Sequence, residues 1–402
     1  DGCPSGLLDG VPVAVKDVFL TPMWPTLKGS HTVDPQSTLG KTGACTAALA
    51  RHNYVPIGKT TTPELGWKGV TDNPVDGVTN NPWNPDKTAG GSSGGSGVAV
   101  ALGMAPLALG TDAGGSIRIP ASFCGIVGLK PSFGEVPHWP SSPFGTLAHA
   151  GPMTWTVEDC ALMMNVLAEP DYRDTHAVPR RNIDYLAELR SGVKGLKIAY
   201  SPNLGYVDVD PEVEAAVAEA ARVLAELGAE VVRVDPGFSD PLAAFGHLFY
   251  GGAANAIRDL GPKKRAVMDP ELVKVSEKAA RLSMLDYMGA VNESMALRER
   301  MADLAGLRVE ARQRGLALEV VGAEHRHVHV GRAEVVRHAD AGDGHEGLAG
   351  LAEIGHEEVG HLALDHAADP IGADGHEGWG MRDAEGGGRS HGPPSLLPPT
   401  LV

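Results

Sequence analysis

The sequence predicts an α/β fold, because short apolar segments typical of buried strands alternate with helical segments along most of the chain. Candidate strands are VPVAV (11–15), YVPIG (54–58) and PLALG (106–110), and residues 45–52 between the first two have helical composition. Continuous apolar segments are typical of strands buried on both faces. We therefore expect a sheet that is covered by helices on both sides.

A strand, a helix and a second strand follow one another in the second half of the chain. GLKIAYSP (195–202) and EVVRV (230–234) have strand character, and Asp210 precedes a proline, a pair that begins many helices. Gly228 marks the end of that helix. We expect the two strands to be parallel and joined by a crossover helix. Residues 270–305 are strongly helical in composition.

Composition limits the class of protein. The chain has 402 residues, of which 43% are hydrophobic, which suffices for one large domain or two to three ordinary ones. Acidic residues outnumber basic ones by 50 to 34, giving a net charge of −16. A nucleic-acid-binding surface needs clustered lysine and arginine, so we expect no nucleic-acid partner. No apolar run reaches the roughly 18 residues of a membrane span, so we expect no membrane partner either.

The cysteine pattern favours a reduced, cytoplasmic protein without structural zinc. The chain contains no C-x-x-C pair. Its four cysteines are scattered: Cys3, Cys45, Cys124 and Cys160. The sequence opens with DGCPSGLLDG, which lacks the pattern of a signal peptide. We expect the mature N-terminus to lie upstream of it.

The character of the sequence changes at about residue 305. No lysine follows Lys278, no tyrosine follows Tyr287, and ten of the 16 histidines lie in the last quarter. A segment with so few aromatic residues has little material for a core. We therefore divide the chain into a folded domain, residues 1–305, and a His/Gly/Ala-rich tail, residues 306–402, expected to be poorly ordered. An out-of-frame translation of GC-rich DNA is the alternative origin of the tail.

The strongest indication of a catalytic site comes from two glycine-flanked serine clusters, GGSSGGS (90–96) and DAGGS (112–116). Glycine beside serine permits positive φ and lets a substrate approach main-chain N–H groups closely. In the second cluster, successive N–H groups can converge on one point and form a candidate oxyanion hole. Its members are Ala113, Gly114, Gly115 and Ser116.

A serine nucleophile needs a base. Lys16 closes the strand VPVAV, where burial would lower its pKa and make it a base near neutral pH. Alternatively, Lys16 is a surface lysine that pairs with its neighbour Asp17. The nearest histidines, His138 and His149, lie in a loop-like region without an evident orienting partner. The strand motif alone leaves these alternatives open.

Six segments with characteristic order and spacing identify a resemblance. They are GVPVAVKD (10–17), GKTTTPE (58–64), NNPWNP (80–85), GGSSGGS (90–96), GTDAGGSIRIPASFCGIVGLKPSFG (110–134) and GPMTWTVEDCALM (151–163). Together they resemble the amidase signature family, densely over residues 5–165 and loosely over 166–305. The resemblance implies an α/β fold in which a mixed β-sheet lies between helices, and a catalytic unit of two serines and a lysine.

The resemblance also implies roles for three residues. Ser116 resembles the family's nucleophile, and Lys16 resembles its base. Ser92 resembles the bridging serine, which follows a cis peptide bond, here Gly91–Ser92. The implied reaction is acyl transfer: Ser116 attacks an amide carbonyl while its proton passes through Ser92 to Lys16. N–H groups around Ala113 to Ser116 would hold the oxyanion.

Ser93, Asp112 and Arg118 have supporting roles in this interpretation. We expect Asp112 and Arg118 to form an ion pair around the nucleophile turn, and Ser93 to hydrogen-bond within the network. The family's C-terminal part is not recognisable after about residue 305, and members usually carry a helical segment ahead of the lysine. We therefore expect a catalytic domain that is incomplete at both ends.

We interpret the chain as an amidase that hydrolyses a small carboxylic amide to an acid and ammonia or an amine, without a cofactor or metal. A homodimer is left open. Within the family, the alternative is the amidase-type subunit of a glutamine-dependent tRNA amidotransferase, although PHWPSSPFGTLAHAGPM (137–153) looks more like free-standing amidases.

The alternative from another class is an inactive truncated fragment with a metal-binding, histidine-rich tail. His356, Glu357 and His361 resemble the zinc motif H-E-x-x-H. One extra residue between the histidines moves them off a common helix face, so a specific zinc site is not indicated.

Overall fold

The computed structural model describes residues 5–179, 181–237, 239–304, 320–321 and 400–401. The strands in these ranges are β1 (Pro12–Lys16), β2 (Val55–Thr60), β3 (Asp72–Asn73), β4 (Gly77–Val78), β5 (Leu107–Asp112), β6 (Val127–Gly128), β7 (His149–Thr154), β8 (Lys197–Tyr200), β9 (Glu230–Arg233), β10 (Val320–Val321) and β11 (Thr400–Leu401).

The α-helices are α1 (Pro35–Thr38), α2 (Ala44–Arg51), α3 (Gly94–Ala101), α4 (Arg118–Cys124), α5 (Val157–Leu167), α6 (Tyr185–Glu188), α7 (Pro211–Glu226), α8 (Leu242–Ile257), α9 (Pro262–Arg265), α10 (Pro270–Ala279) and α11 (Met284–Leu304). Short 3₁₀ turns lie at Glu64–Gly66, Gly145–Leu147 and Leu189–Ser191. The predicted strands are present with ends that differ by one or two residues. The helical stretch 270–305 is divided into α10 and α11.

The main sheet is mixed, as the family resemblance implies. Its strand order is β11–β2–β1–β5–β7–β6. Strand β1 is parallel to β2 and β5, whereas β7 is antiparallel to β5 and β6. A smaller sheet has the order β10–β8–β9, and its strands are parallel. Helix α7 connects β8 to β9, so the predicted crossover is confirmed.

Helices cover both faces of the main sheet, because alternate residues of β1 pack on opposite sides. Val13 and Val15 belong to a cluster that includes Met163 of α5. Ala14 faces the other way, into a cluster that includes Ala99 of α3. All three β1 side chains are fully buried. Strand β1 is therefore central and covered on both faces.

The ends of neighbouring strands place several site residues side by side. Lys16 is the last residue of β1, and Thr111 and Asp112 end the adjacent parallel strand β5. Carboxyl ends of parallel strands meet at one edge of a sheet, where α/β proteins usually bind their ligands. The order of the strands thus brings the lysine and the second serine cluster together.

Helix α3 brings the first serine cluster to the same edge. Ser92 and Ser93 directly precede it, and its first turn packs against the residue after β2. A Cβ atom at Gly95 would lie 2.4 Å from Thr61 N, which leaves no room for a side chain. Glycine at this position is what allows α3 to approach so closely.

Helices α8, α10 and α11 form a helical layer beside this edge. Helix α8 contacts both α10 and α11, and Ile257 and Leu272 form part of the buried cluster between α8 and α10. The ring of Phe249 on α8 stacks on Phe144 with centroids 4.7 Å apart. The layer is thereby attached to the loop that precedes β7.

Of the helices in the described ranges, none combines the length and the apolar composition that a membrane crossing requires. The expected poor order of residues 306–402 concerns residues outside the described ones, apart from β10 and β11. That expectation stays a prediction.

Candidate active site

Lys16 is the centre of a buried cluster of hydroxyl groups. Its side chain is fully buried, and Nζ lies 2.7 Å from Ser92 Oγ, 2.9 Å from Ser93 Oγ and 2.8 Å from Thr111 Oγ1. Burial holds the pKa of Lys16 well below its ordinary value of 10.5, and the nearby charge of Asp112 opposes this only partly. A lysine in these surroundings can act as a base.

The interpretation of Lys16 as a surface lysine paired with Asp17 is wrong. Asp17 Oδ1 instead lies 2.8 Å from Lys59 Nζ, and Asp17 Oδ2 accepts hydrogen bonds from Leu27 N and Lys28 N. Successive residues of a strand point to opposite sides, so Lys16 and its neighbour enter different surroundings. Asp17 therefore pairs with Lys59, and the hydrogen-bond partners of Lys16 are hydroxyl groups.

The Gly91–Ser92 peptide bond is cis, as the resemblance implies. Next to it, Ser93 connects the two serine clusters. Its hydroxyl donates to Thr111 O at 3.1 Å, and its N–H donates to Ser116 O at 3.1 Å. Ser93 therefore contacts both the lysine and the loop that carries Ser116.

Asp112 organises the second serine cluster. It is buried, and its carboxylate accepts hydrogen bonds from Gly115 N at 2.8 Å and Ile117 N at 3.1 Å. Arg118 Nε and Nη2 each donate to it at 2.8 Å, which forms the expected ion pair. Burial disfavours the charged form, but the Arg118 guanidinium and these hydrogen bonds outweigh it and hold the pKa of Asp112 below its usual range. The loop is fixed around a carboxylate.

Ser116 lies on this loop with its side chain partly exposed. Across the described ranges, no hydrogen bond joins Ser116 Oγ to Ser92 or to another residue. The structure thus brings Lys16, Ser92 and Ser93 into direct contact and connects Ser116 to them through its backbone carbonyl. Of the four candidate oxyanion N–H groups, that of Gly115 already has Asp112 Oδ1 as its acceptor.

Thr111 is a residue of the cluster that the sequence interpretation missed. Its hydroxyl contacts Lys16 Nζ at a distance comparable to those of the two serines. The available signal was its position two residues beyond a buried apolar run, directly before Asp112, in a strand parallel to that of Lys16.

The two histidines considered as bases are both held neutral by burial, which lowers the pKa of His138 and of His149 to about 4. His138 packs edge-on against Phe19. His149 Nδ1 lies 2.7 Å from Leu147 O and 3.2 Å from Asp112 O. Neither imidazole forms a hydrogen bond with a serine hydroxyl in the described part of the chain.

A cavity of about 70 Å³ opens beside the loop of the second serine cluster. Ala113, Arg118 and His149 line it on the side of the sheet, and Phe245 and Leu248 of α8 line the opposite side. Small-molecule sites are typically concave and mostly apolar, with a few polar groups. The cavity therefore offers room for part of a small ligand next to the candidate oxyanion hole.

Among the described residues, no group of three or more His, Cys, Asp or Glu side chains is arranged to hold a metal ion. His356, Glu357 and His361, the residues that resemble a zinc motif, lie outside the described residues.

Comparison with known proteins gives a consistent result. The sequence profile of the Amidase family matches residues 2–313. An acylamidase of Rhodococcus erythropolis is 38% identical over 284 residues, which are 70% of this chain and 59% of that protein. A glutamyl-tRNA(Gln) amidotransferase subunit of Chloroflexus aurantiacus is 41% identical over 238 residues, which are 58% of this chain and 48% of that protein. The chain thus spans about half to three fifths of the length of these relatives.

Solved structures resemble the fold as well. A bacterial aryl acylamidase of the amidase signature enzymes superposes with a TM-score of 0.69 at 32% identity, covering 88% of this chain and 74% of that one. A 6-aminohexanoate cyclic dimer hydrolase complexed with substrate gives a TM-score of 0.67 at 28% identity, covering 74% and 65%. Together with the profile match, these similarities establish that the chain belongs to the Amidase family, the amidase signature enzymes.

Proposed function

We propose that this protein hydrolyses a small carboxylic amide through a seryl acyl-enzyme, with Ser116 as nucleophile, Ser92 as proton relay and Lys16 as base. The observation that carries the proposal is the fully buried lysine whose Nζ contacts three hydroxyl groups. Such a lysine is readily neutral, and a neutral amine next to serine hydroxyls is a general base in position.

A proton count supports Ser92 as the relay. A neutral lysine amine has two N–H donors and one lone pair, and three hydroxyl groups surround it, so one of them must donate to Nζ. The Ser93 hydroxyl already donates to Thr111 O. The count therefore leaves Ser92 and Thr111, whose hydroxyl oxygens lie 2.7 Å and 2.8 Å from Nζ, as the candidates for that donor. Of the two, Ser92 is the residue that resembles the bridging serine of the family.

The reaction then proceeds in two halves. Ser92 passes its proton to Lys16 and takes one from Ser116, whose oxygen attacks the amide carbon. Main-chain N–H groups of the loop from Ala113 to Ser116, apart from that of Gly115, which is donated to Asp112, stabilise the oxyanion, and one such donor is commonly worth about 3–4 kcal/mol. Ser92 next protonates the leaving nitrogen, and water hydrolyses the ester by the reverse relay. Ser93, Asp112 and Arg118 hold these groups in place.

The proposed substrate is a small molecule, and the cavity of about 70 Å³ beside the loop offers room for part of it. The proposed chemistry uses side chains and water alone, so it requires no cofactor. Because the cysteine pattern favours a reducing compartment, we place the protein in the cytoplasm. Whether it forms a homodimer is left open.

The similarity to glutamyl-tRNA(Gln) amidotransferase subunits favours a second candidate, the release of ammonia from glutamine inside a complex. In that case turnover would depend on tRNA and on partner proteins. The first candidate has the support of the acylamidase relative and the aryl acylamidase structure, which cover more of this chain.

An assay of the purified full chain tests the proposal. Ammonia or amine release is measured from simple aliphatic and aryl amides, without tRNA or partner proteins, for the native chain and for Ser116→Ala. We expect release by the native chain and a loss of roughly 10⁴-fold or more in the variant. Release that requires glutamine, tRNA and partner proteins would favour the second candidate, and equal rates for both chains would contradict the mechanism.

A further inference from the structure

His149, a residue that lines the cavity, has one ring nitrogen without a hydrogen-bond partner in the described part of the chain. Its Nδ1 faces two carbonyl oxygens, Leu147 O at 2.7 Å and Asp112 O at 3.2 Å. A carbonyl can only accept, so Nδ1 carries the proton, and Nε2 of the neutral ring is left with a lone pair. Within the described residues Nε2 has no hydrogen-bond partner, and His149 is one of the residues that line the cavity.

The position of the ring is fixed by its surroundings. His149 begins β7, which pairs with β5, and Asp112 is its partner across the two strands. The ring of Phe133 packs against it edge-on with centroids 5.8 Å apart. Burial lowers the pKa of His149 to about 4, so the ring is neutral near pH 7 and the lone pair persists. The acceptor is therefore oriented before a ligand binds.

The rest of the cavity restricts the chemistry of a ligand. Phe245 and Leu248 of α8, with Leu297 of α11, provide apolar walls that favour an apolar group. Lys130 also lines the cavity, and its positive charge disfavours an ammonium group, whereas the charge of Arg118, another lining residue, is paired with Asp112. One water needs about 10–15 Å³ on this volume scale, so 70 Å³ holds a group of about five to seven non-hydrogen atoms.

We propose that His149 is a specificity-determining residue whose Nε2 accepts a hydrogen bond from a neutral donor on an apolar group of the substrate. The donor is a hydroxyl or an amide N–H, and the group is about the size of one aromatic ring. This inference rests on the proposed amide hydrolysis and names the substrate class of that same site. Because the cavity adjoins the loop at Ala113, we infer that the apolar group in the cavity and the amide carbonyl at the loop belong to one substrate molecule.

Matched pairs of compounds test the inference on the full chain. Each pair differs in one hydroxyl: 4-hydroxybenzamide against benzamide, and 4-hydroxyacetanilide against acetanilide. The two pairs place the ring on the acyl side and on the amine side of the amide. Terephthalamic acid, with a carboxylate in place of the hydroxyl, is the third arm. Binding is measured calorimetrically in the Ser116→Ala background, and kcat/KM is measured in the native chain.

Two variants separate the acceptor from the structural hydrogen bond. His149→Asn keeps a donor near the position of Nδ1 for Leu147 O and removes the acceptor at the position of Nε2. His149→Gln places an amide oxygen near the position of Nε2. We expect one hydroxylated compound to bind about 5–10-fold more tightly than its partner. This preference should disappear in His149→Asn and be retained at least in part in His149→Gln.

Equal binding within both pairs, or a preference unchanged in His149→Asn, would overturn the inference. Tighter binding of terephthalamic acid would overturn it as well, because Arg118 and Lys130 would then define the cavity. The binding measurement does not depend on turnover. A native chain that hydrolyses no amide but keeps the hydroxyl preference would therefore refute the proposed reaction and leave the role of His149 standing.

Discussion

Lys16 illustrates what a sequence can and cannot establish about a single residue. Its position at the end of an apolar strand is compatible with a buried base and with a surface lysine. The structure decides between them through partners that lie 76 and 95 positions away, Ser92 and Thr111. Local sequence patterns cannot predict contacts between residues so far apart in the chain. The contact with Ser92 was expected only because of the family resemblance.

The titration of Lys16 predicts the pH dependence of the reaction. Burial lowers the pKa of this lysine, and the base is its neutral form, so kcat/KM should rise with pH as the proton is lost. In Lys16→Met the rate should fall about 10²–10⁴-fold, and this rise should vanish. The measurement is a pH profile of kcat/KM for both chains. If the rise in kcat/KM is unchanged in the variant, another group is the base. With His138 as the base, whose pKa is about 4, the rise would occur at acidic pH.

Thr111 provides a second prediction at this scale. Thr111→Val removes the hydroxyl next to Lys16 Nζ without a large change in shape, and Thr111→Ser keeps it. We expect the valine variant to lose about tenfold in kcat, because one hydrogen bond that positions the amine is absent. KM should change little, and the serine variant should retain most of the rate. Equal rates for the two variants would show that the hydroxyl is dispensable.

At the scale of elements, the sequence predicted the strands and helices that build the sheet because each has a simple local pattern. The close approach of α3 to β2, in contrast, could not be predicted from a local pattern. It depends on the absence of a side chain at Gly95, whose neighbour Thr61 lies far along the chain, and Gly94 approaches Thr71, directly before β3, in the same way. Glycine beside serine was attributed to the loop chemistry, and the packing role of these two glycines emerges only from the structure.

A pair of glycine substitutions tests this packing. In Gly95→Ala the new Cβ would lie 2.4 Å from Thr61 N, so we expect a loss of about 3 kcal/mol in the free energy of unfolding. Displacement of the preceding serines should also reduce activity by about 10²-fold. The matched control is Gly289→Ala in α11, where nothing lies within 4 Å. That variant should be about as stable as the native chain or up to 1 kcal/mol more stable. Chemical denaturation measures both, and similar effects would contradict the account.

At the scale of the whole molecule, composition led us to expect no nucleic-acid or membrane partner, and the order of motifs identified the family. The cavity could not be predicted in the same way. Its walls combine the loop at Ala113 with Phe245 and Leu248 of α8, and no sequence pattern joins these segments. The role of His149 depends on its cross-strand neighbour Asp112, which again is a property of the assembled sheet.

Limited proteolysis tests the expected division of the chain. The scarcity of aromatic residues beyond position 305 leaves little material for a core, so residues 306–402 should be trimmed early. Residues 10–165, which contain the buried strand β1, should resist the protease much longer. The fragments are identified by intact mass at successive times. A tail that persists as long as the N-terminal part would refute this division.

The most direct test of the central claim is to locate the acylated residue. The full chain is treated with a serine-directed phosphonate probe, and the modified peptide is identified by mass spectrometry in the native chain, in Ser116→Ala and in Lys16→Met. We predict a single adduct on Ser116, none in Ser116→Ala, and much slower labelling in Lys16→Met. An adduct on Ser92 or Ser93, or labelling of Ser116 at an unchanged rate without the lysine, would contradict the assignment of nucleophile and base.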